Sequence, residues 1–421
     1  MRDKIILLAK HPLIIGSTFL FAGSLAASLL NYLFNLAMGR LLSVSDYGTF
    51  ASLISVFTIF SIFSATIIMV FSKFSAVLMA RKKEVAIGSL LITGNMWVGA
   101  IAIVVSGVLA LFSLQIANFL NISSPIYILL TVASIFVSFL TGVAGGILQG
   151  LLRFATFSIV NISSSVVKLV LGIILVYFGG KVLGAIVAFL LSILSSYIFS
   201  FLALLKFLKI KTKNKFTLYS LHNKAYAYAL PVFLSSIGIT AFISLDIILV
   251  KHYFNSILAG QYAALSLMGR AIFYVVAPIS SVLFPLVAQK KEKKERFTGT
   301  LFLSIFLIGF PATVLSFIYF MFPGIILKIF FPAKEYLPLI PYLGPFSIFI
   351  LFYCFSFLLN SFYLSIGKIR VLFFTISAAI MESFSIYFFH ENITQVINGL
   401  TIVSFLLLLS LLLYYRNATK A

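Results

Sequence analysis

The sequence predicts an all-α polytopic membrane protein, with twelve transmembrane helices in two six-helix lobes related by a pseudo-two-fold axis along the membrane normal. Three observations lead there: the apolar content, the placement of the basic residues, and a repeat of half the chain. Of 421 residues, 62% are apolar and 9% are Asp, Glu, Lys or Arg, and the mean hydropathy is +1.18. A soluble domain carries about 25% charged residues, and a globule has too much surface to hide this much apolar matter. Lipid must solvate most of the chain, which excludes a soluble enzyme and a disordered hub. The net charge of +21 would suggest a nucleic-acid partner in a soluble protein. Here basic residues lie between apolar spans, where they set membrane orientation, and no nucleic-acid partner is expected.

A span needs about 20 predominantly apolar residues to cross a hydrocarbon core of about 30 Å. Taken in order, the qualifying stretches are 13–38, 47–71, 87–112, 126–148, 157–178, 182–205, 225–248, 262–286, 298–320, 337–359, 369–389 and 393–414. The first is too long and too rich in Gly and Ser for the core of a cleaved signal, and a second follows at once. Between the sixth and seventh lies the longest hydrophilic connection, 206–224, whose mixed basic and apolar residues suit a helix lying on anionic headgroups. It separates an amino-terminal lobe, 1–205, from a carboxyl-terminal lobe, 225–421. Pro231, Pro278 and Pro311 interrupt the seventh, eighth and ninth spans. Each removes a backbone hydrogen bond and permits a bend, in motion or as a static kink.

Of the 30 Lys and Arg, 23 fall at the two termini and in alternate loops, among them Arg81 to Lys83, Lys206 to Lys224 and Lys290 to Arg296. Five fall in the opposite loops (Arg40, Lys181, Lys251, Lys328, Lys334), and Lys168 and Arg270 lie within spans. A misplaced span would scramble this alternation, so the bias supports the span count and places both termini in the cytoplasm.

The two halves also match. Asn35 to Arg40 followed by Gly48 corresponds to Asp246 to Lys251 followed by Gly260, at offsets of 211 and 212. Gln149 to Arg153 corresponds to Ile366 to Arg370, and Gly184 to Gly399, at offsets of 217 and 215. An even number of spans per half gives both lobes the same orientation, with a cavity expected between them.

Asn31-Tyr-Leu-Phe-Asn35 running into Gly39-Arg-Leu-Leu-Ser-Val-Ser-Asp-Tyr-Gly48 resembles the opening signature of the polysaccharide exporters, or O-antigen flippases, of the Wzx type. The stretch from Asp246 to Gly260, with Pro285 closing the eighth span, resembles their seventh and eighth helices. These exporters share a superfamily with the MATE efflux pumps and the lipid II flippases, and the resemblance covers essentially the whole chain. It implies a MATE-like alternating-access transporter that moves an undecaprenyl-diphosphate-linked oligosaccharide across the cytoplasmic membrane of a bacterium or archaeon. The implied partners are that lipid-linked anionic glycan, membrane lipids and the polysaccharide polymerase or export machinery.

Ionisable groups at membrane depth cost at least about 2.5–3.5 kcal/mol and face a bundle interior or a wet cavity. At 1.5 Å per residue, Lys168 lies about 16 Å into the fifth span, Arg270 about 12 Å into the eighth and Glu382 about 20 Å into the eleventh. Asp246 falls near the end of the seventh. Lys168 and Arg270 are candidates for a cationic cavity that offsets desolvation of a diphosphate. The alternative is a structural pairing, Arg270 with Asp246 or Lys168 with Glu382. Asn31 and Asn35 either line that cavity or join helices by amide hydrogen bonds. Glu382 and Asp246 are the candidates for proton or Na⁺ coupling, and no other cofactor is expected. Arg40 and Lys251 read as outer-interface anchors.

The single cysteine, Cys354, and four scattered histidines form no metal-ligand spacing. No phosphate-binding glycine loop for a nucleotide is present in the sequence. The expected outer loops hold only Asp46, Glu335 and Glu391, far apart. A membrane glycosyltransferase or polymerase would want paired carboxylates there, so the chain is not expected to be an enzyme. A cation-coupled drug exporter with the same fold is the nearer rival.

Overall fold

The computed structural model describes residues 12–81, 85–208, 233–234, 236–292 and 298–419. Among them, every regular element is helical: α1 Pro12–Leu41, α2 Val44–Ala80, α3 Val85–Leu111, α4 Ser113–Phe119, α5 Pro125–Gly150, α6 Phe154–Leu175, α7 Lys181–Leu208, α8 Leu245–Tyr253, α9 Ser256–Glu292, α10 Thr298–Met321, α11 Pro323–Phe330, α12 Ile340–Ser365, α13 Val371–Phe388 and α14 Ile393–Thr419. A π turn, Val176–Gly180, joins α6 to α7, and a 3-10 turn, Lys334–Leu339, leads into α12. Eight helical stretches among the described residues are long and apolar enough to cross a membrane. The expected basic linker lies outside the described residues from position 209 onward, as does Pro231.

Local chemistry sets the breaks. Pro125 occupies the first turn of α5, where its missing N–H costs nothing. Gly179 has φ of +90°, a conformation that only glycine adopts cheaply, and it ends the run of α6 before α7 begins. Tyr177 and Phe178 of this turn are strongly exposed and meet edge to face at 5.8 Å. Such aromatics at a helix end suit a membrane interface. Pro311 sits inside α10, and α9 continues through position 278.

The chain packs into two compact units. One comprises the described residues of Met1–Ala37 and Phe60–Phe233, the other those of Met38–Ile59 and Leu234–Ala421. Helices α1 and α2 therefore each contribute residues to both. In the first unit, Gly142, Gly146 and Gly150 recur every four residues along α5 and face α2. A Cβ at Gly146 would lie 2.6 Å from Ile68 O and 2.8 Å from Phe71 Cβ. Small residues at this spacing let two membrane helices approach closely, where dispersion and not hydrophobic exclusion holds them. Gly146→Leu is expected to cost about 1–3 kcal/mol or more through overpacking. A lowered melting temperature of the purified protein would show it, and an unchanged one would contradict this packing.

In the second unit, residues 38–59 from the first half of the chain pack against the second half. A Cβ at Gly48 would lie 2.7 Å from Gly260 N, so the two glycines paired by the repeat meet each other. Tyr336 donates to Gly39 O at 3.1 Å, and Arg40 Nε donates to Phe330 O at 2.9 Å and its Nη2 to Ile329 O. Arg40 thus caps the carboxyl end of α11, where cations meet the negative end of the helix dipole. The repeat extends further than the sequence motifs: the short helices α4 and α11 begin at residues 113 and 323, each between two long helices, an offset of 210.

Candidate functional site

Two polar clusters stand inside the apolar bundle, one in each unit. The first gathers on α1, α6 and α7. Asn161, Ser165 and Lys168 fall at helical spacing on α6, and Ser165 Oγ donates to Asn161 O at 2.8 Å. Asn31 on α1 donates through Nδ2 to Ala27 O at 2.8 Å and to Ser165 Oγ at 3.3 Å. Its Oδ1 accepts from the Lys168 ammonium. Nζ of Lys168 also stands 5.0 Å from the Phe34 ring centre and 5.4 Å from that of Phe189. Lys168 is 8% exposed, and among the described residues no carboxylate forms an ion pair with it. A carbonyl dipole and two ring faces solvate the charge without neutralising it. Asn35 spends its amide on Asn31 O at 2.8 Å, a bond within α1, and does not join this set through it.

The second cluster lies on α8, α9, α12 and α13. Asp246, on the first turn of α8, is 1% exposed. Its Oδ2 accepts from Tyr262 Oη at 2.9 Å, and its Oδ1 lies 3.8 Å from Arg270 Nη2. Arg270 also donates to Ile243 O, while its Nε has no hydrogen-bond partner. Tyr262 and Arg270 are eight residues apart on α9 and share a face. Glu382 on α13 is 0% exposed, and neither carboxylate oxygen is hydrogen-bonded to any of the described residues. It lies in the electrostatic field of Asp246 and Arg270, and Tyr353 of α12 lies in that of Arg270 and Glu382.

The chemistry of this second cluster follows from its charge count. Two buried carboxylates face one guanidinium, so full ionisation leaves an unbalanced negative charge in a low-dielectric interior. The oxygens without a hydrogen bond at Glu382 and Asp246 are hard ligands that can accept a proton or bind a small cation.

The pairing of Arg270 with Asp246, one of the two alternatives in the sequence, is present. Lys168 takes a partner that charge alone does not point to, the neutral Asn31. Lys251 departs from an interface anchor: it is 2% exposed, in the field of Asp46, whose carboxylate also accepts from Ser43 at 2.8 Å. The sequence reading missed Tyr262, Tyr353, Phe34 and Phe189. Only Tyr262 had a usable signal, its spacing from Arg270.

Comparison with known proteins bears on the fold that carries these clusters. The helices superpose on a multidrug resistance MATE family transporter of the MOP superfamily in an inward-facing conformation, with a TM-score of 0.77, 15% identity, and coverage of 94% of this chain and 96% of that one. They superpose on the lipid II flippase MurJ in an inward closed conformation with a TM-score of 0.72 and 16% identity, over 94% of this chain and 87% of that one. At such identities the likeness is one of fold. In sequence, the uncharacterized membrane protein MJ1375 of Methanocaldococcus jannaschii is 29% identical over 211 residues, 46% of this chain and 49% of that protein, so the chain spans about half the length of this relative. The pattern of the polysaccharide biosynthesis protein family matches residues 13–291. With that match over most of its length, the chain belongs to the polysaccharide biosynthesis protein family.

Proposed function

We propose that the protein is an alternating-access flippase of twelve spans in two lobes, which carries an undecaprenyl-diphosphate-linked oligosaccharide from the inner to the outer leaflet. The observation that carries this reading is Lys168, a lysine buried inside the bundle whose contacts among the described residues are the neutral Asn31, Phe34 and Phe189. Its uncompensated charge suits a diphosphate, which binds a lysine as a point charge. Arg270 is already committed to Asp246 and is the weaker ligand candidate. Asn31 supports Lys168, while Asn35 serves α1 itself. The family match supports a role in making polysaccharide, and the fold supports transport.

Coupling is assigned to the second cluster. A proton or Na⁺ at Glu382 and Asp246 would balance the excess negative charge there and could return inward as the anionic headgroup moves out. An inside-negative potential adds about 2.3 kcal/mol per charge per 100 mV for that headgroup. The test is flipping of a fluorescent polyprenyl-diphosphate glycan in proteoliposomes under imposed ion gradients. Glu382→Gln is expected to slow flipping and to remove its dependence on pH or Na⁺. Identical gradient dependence in wild type and variant would leave Glu382 a structural residue.

The second reading, export of a drug, is favoured by the 0.77 likeness to a multidrug transporter. An unneutralised Lys168 repels the cationic drugs that such a pump would take, whereas it attracts a diphosphate. Flipping of the glycan with no gradient-driven uptake of a cationic dye supports the first reading over the second.

A further inference from the structure

A line of polar groups leads away from the buried carboxylates along one face of α12. Tyr353, Ser356, Asn360 and Tyr363 follow at spacings of three, four and three residues, and all are buried. The two ends are satisfied: Tyr353 Oη donates to Ile239 O at 3.2 Å, and Tyr363 Oη donates to Leu411 O at 2.6 Å. The two groups between them are not. Ser356 Oγ and Asn360 Oδ1 have no hydrogen-bond partner among the described residues, although Ser356 is fully enclosed and Asn360 is 3% exposed. Buried polar atoms without a protein partner are the usual seats of internal water. Ser356 and Asn360 are one helical turn apart, about 6 Å of rise, and the Asn360 side chain leans back along the helix toward Ser356, which shortens the distance that bridging water has to span.

One end of this line is Tyr353, in the field of Glu382, whose own two oxygens are unpartnered. The other end approaches Ser365, where α12 stops, about 8 Å beyond Asn360. The basic-residue distribution assigns that end to the cytoplasm. The groups facing Glu382 are Asp246 from α8, Tyr262 and Arg270 from α9, and Tyr353 from α12. Helix α14 carries no ionisable side chain between Ile393 and Leu413.

We propose that Ser356 and Asn360 hold a file of waters that relays protons between Glu382 and the Ser365 end of α12. This rests on reading Glu382 as the coupling group. A hydroxyl and an amide each donate and accept, and neither ionises, so they order water without trapping the charge. A hydronium at the open end gives up one proton, each water passes one on as it receives another, and the Glu382 carboxylate becomes the carboxylic acid. The reverse sequence empties it, and no other side chain changes charge.

The test uses the purified full chain in lipid nanodiscs without glycolipid, so a negative flipping result leaves its outcome readable. Infrared spectra taken during rapid exchange into D₂O follow the carboxylic-acid C=O stretch, assigned to Glu382 by its loss in Glu382→Gln. Exchange at Glu382 is expected to be prompt in wild type and in Ser356→Thr/Asn360→Gln. It should slow about tenfold in Ser356→Ala/Asn360→Leu, the scale of one net hydrogen bond lost from the relay. If that double variant does not fold, Ser356→Ala alone carries the comparison, because it removes only an unpartnered hydroxyl. Unchanged exchange in the folded alanine variant would overturn the relay. Absence of a Glu382 acid band at every pH would overturn it equally, with Na⁺ then the ion held there.

Discussion

Arg270→Glu is expected to remove most of the folded protein from the membrane. The change places a third carboxylate beside Asp246 and Glu382, both of which are almost fully enclosed, and withdraws the donor from Ile243 O. Breaking a buried ion pair by removing one partner costs about 3–5 kcal/mol, because the other charge stays buried without compensation. Adding a like charge raises that cost, and whole domains are stable by only about 5–15 kcal/mol. The measurements are the monodisperse fraction after solubilisation and its melting temperature. The exchanged pair, Asp246→Arg/Arg270→Glu, should recover a substantial part of the loss. A single Arg270→Glu variant that folds and melts like wild type but no longer flips glycan would instead make Arg270 a ligand contact.

The second large effect is expected at Lys168. Lys168→Glu should reduce glycolipid flipping to background and also lower the melting temperature, since the Asn31 carbonyl oxygen and the ring faces of Phe34 and Phe189 that solvate a cation repel a buried carboxylate. Lys168→Met, which keeps length and removes charge, should lower flipping at least about tenfold, the loss of one charge-assisted hydrogen bond of about 1.5–3 kcal/mol. Lys168→Arg should retain most of the rate. The readout is initial flipping rate at equal protein per vesicle, with melting temperature as the check on folding. Wild-type flipping by Lys168→Met would remove the diphosphate assignment from this residue.

The helical membrane character was open to sequence reasoning because it rests on sums over many residues. Chance fluctuation cannot imitate stretches such as 126–148 or 393–414. The short helices α4 and α11 escaped it, since seven or eight residues carry too little periodicity to separate from a loop. Long-range packing escaped for another reason: that 38–59 falls in with the second unit depends on which surfaces meet, and hydropathy carries no such information. At the candidate site, Lys168, Arg270, Asp246 and Glu382 were visible as charges where lipid forbids charge. The Arg270 pairing was foreseeable because opposite charges on successive spans leave few partners. The Asn31–Lys168 bond was not, because a neutral amide and an ammonium share no signature beyond both being costly to bury. Ser356 and Asn360 were hidden among other small polar residues until their missing hydrogen bonds set them apart.

The meeting of Gly48 with Gly260 has an evolutionary reading. If the two halves arose by duplication, the ancestral six-helix protein worked as a symmetric pair, and this glycine faced its own copy across the dyad. One mutation in that gene would have altered both sides of the crossing at once, doubling its steric penalty. Fusion turned one inherited position into two, 212 residues apart in the same reading frame. Bulk gained on one side can now be answered by space opened on the other, so the two positions should drift as a correlated pair among descendants of the fusion. A symmetric dimer could never have explored that route.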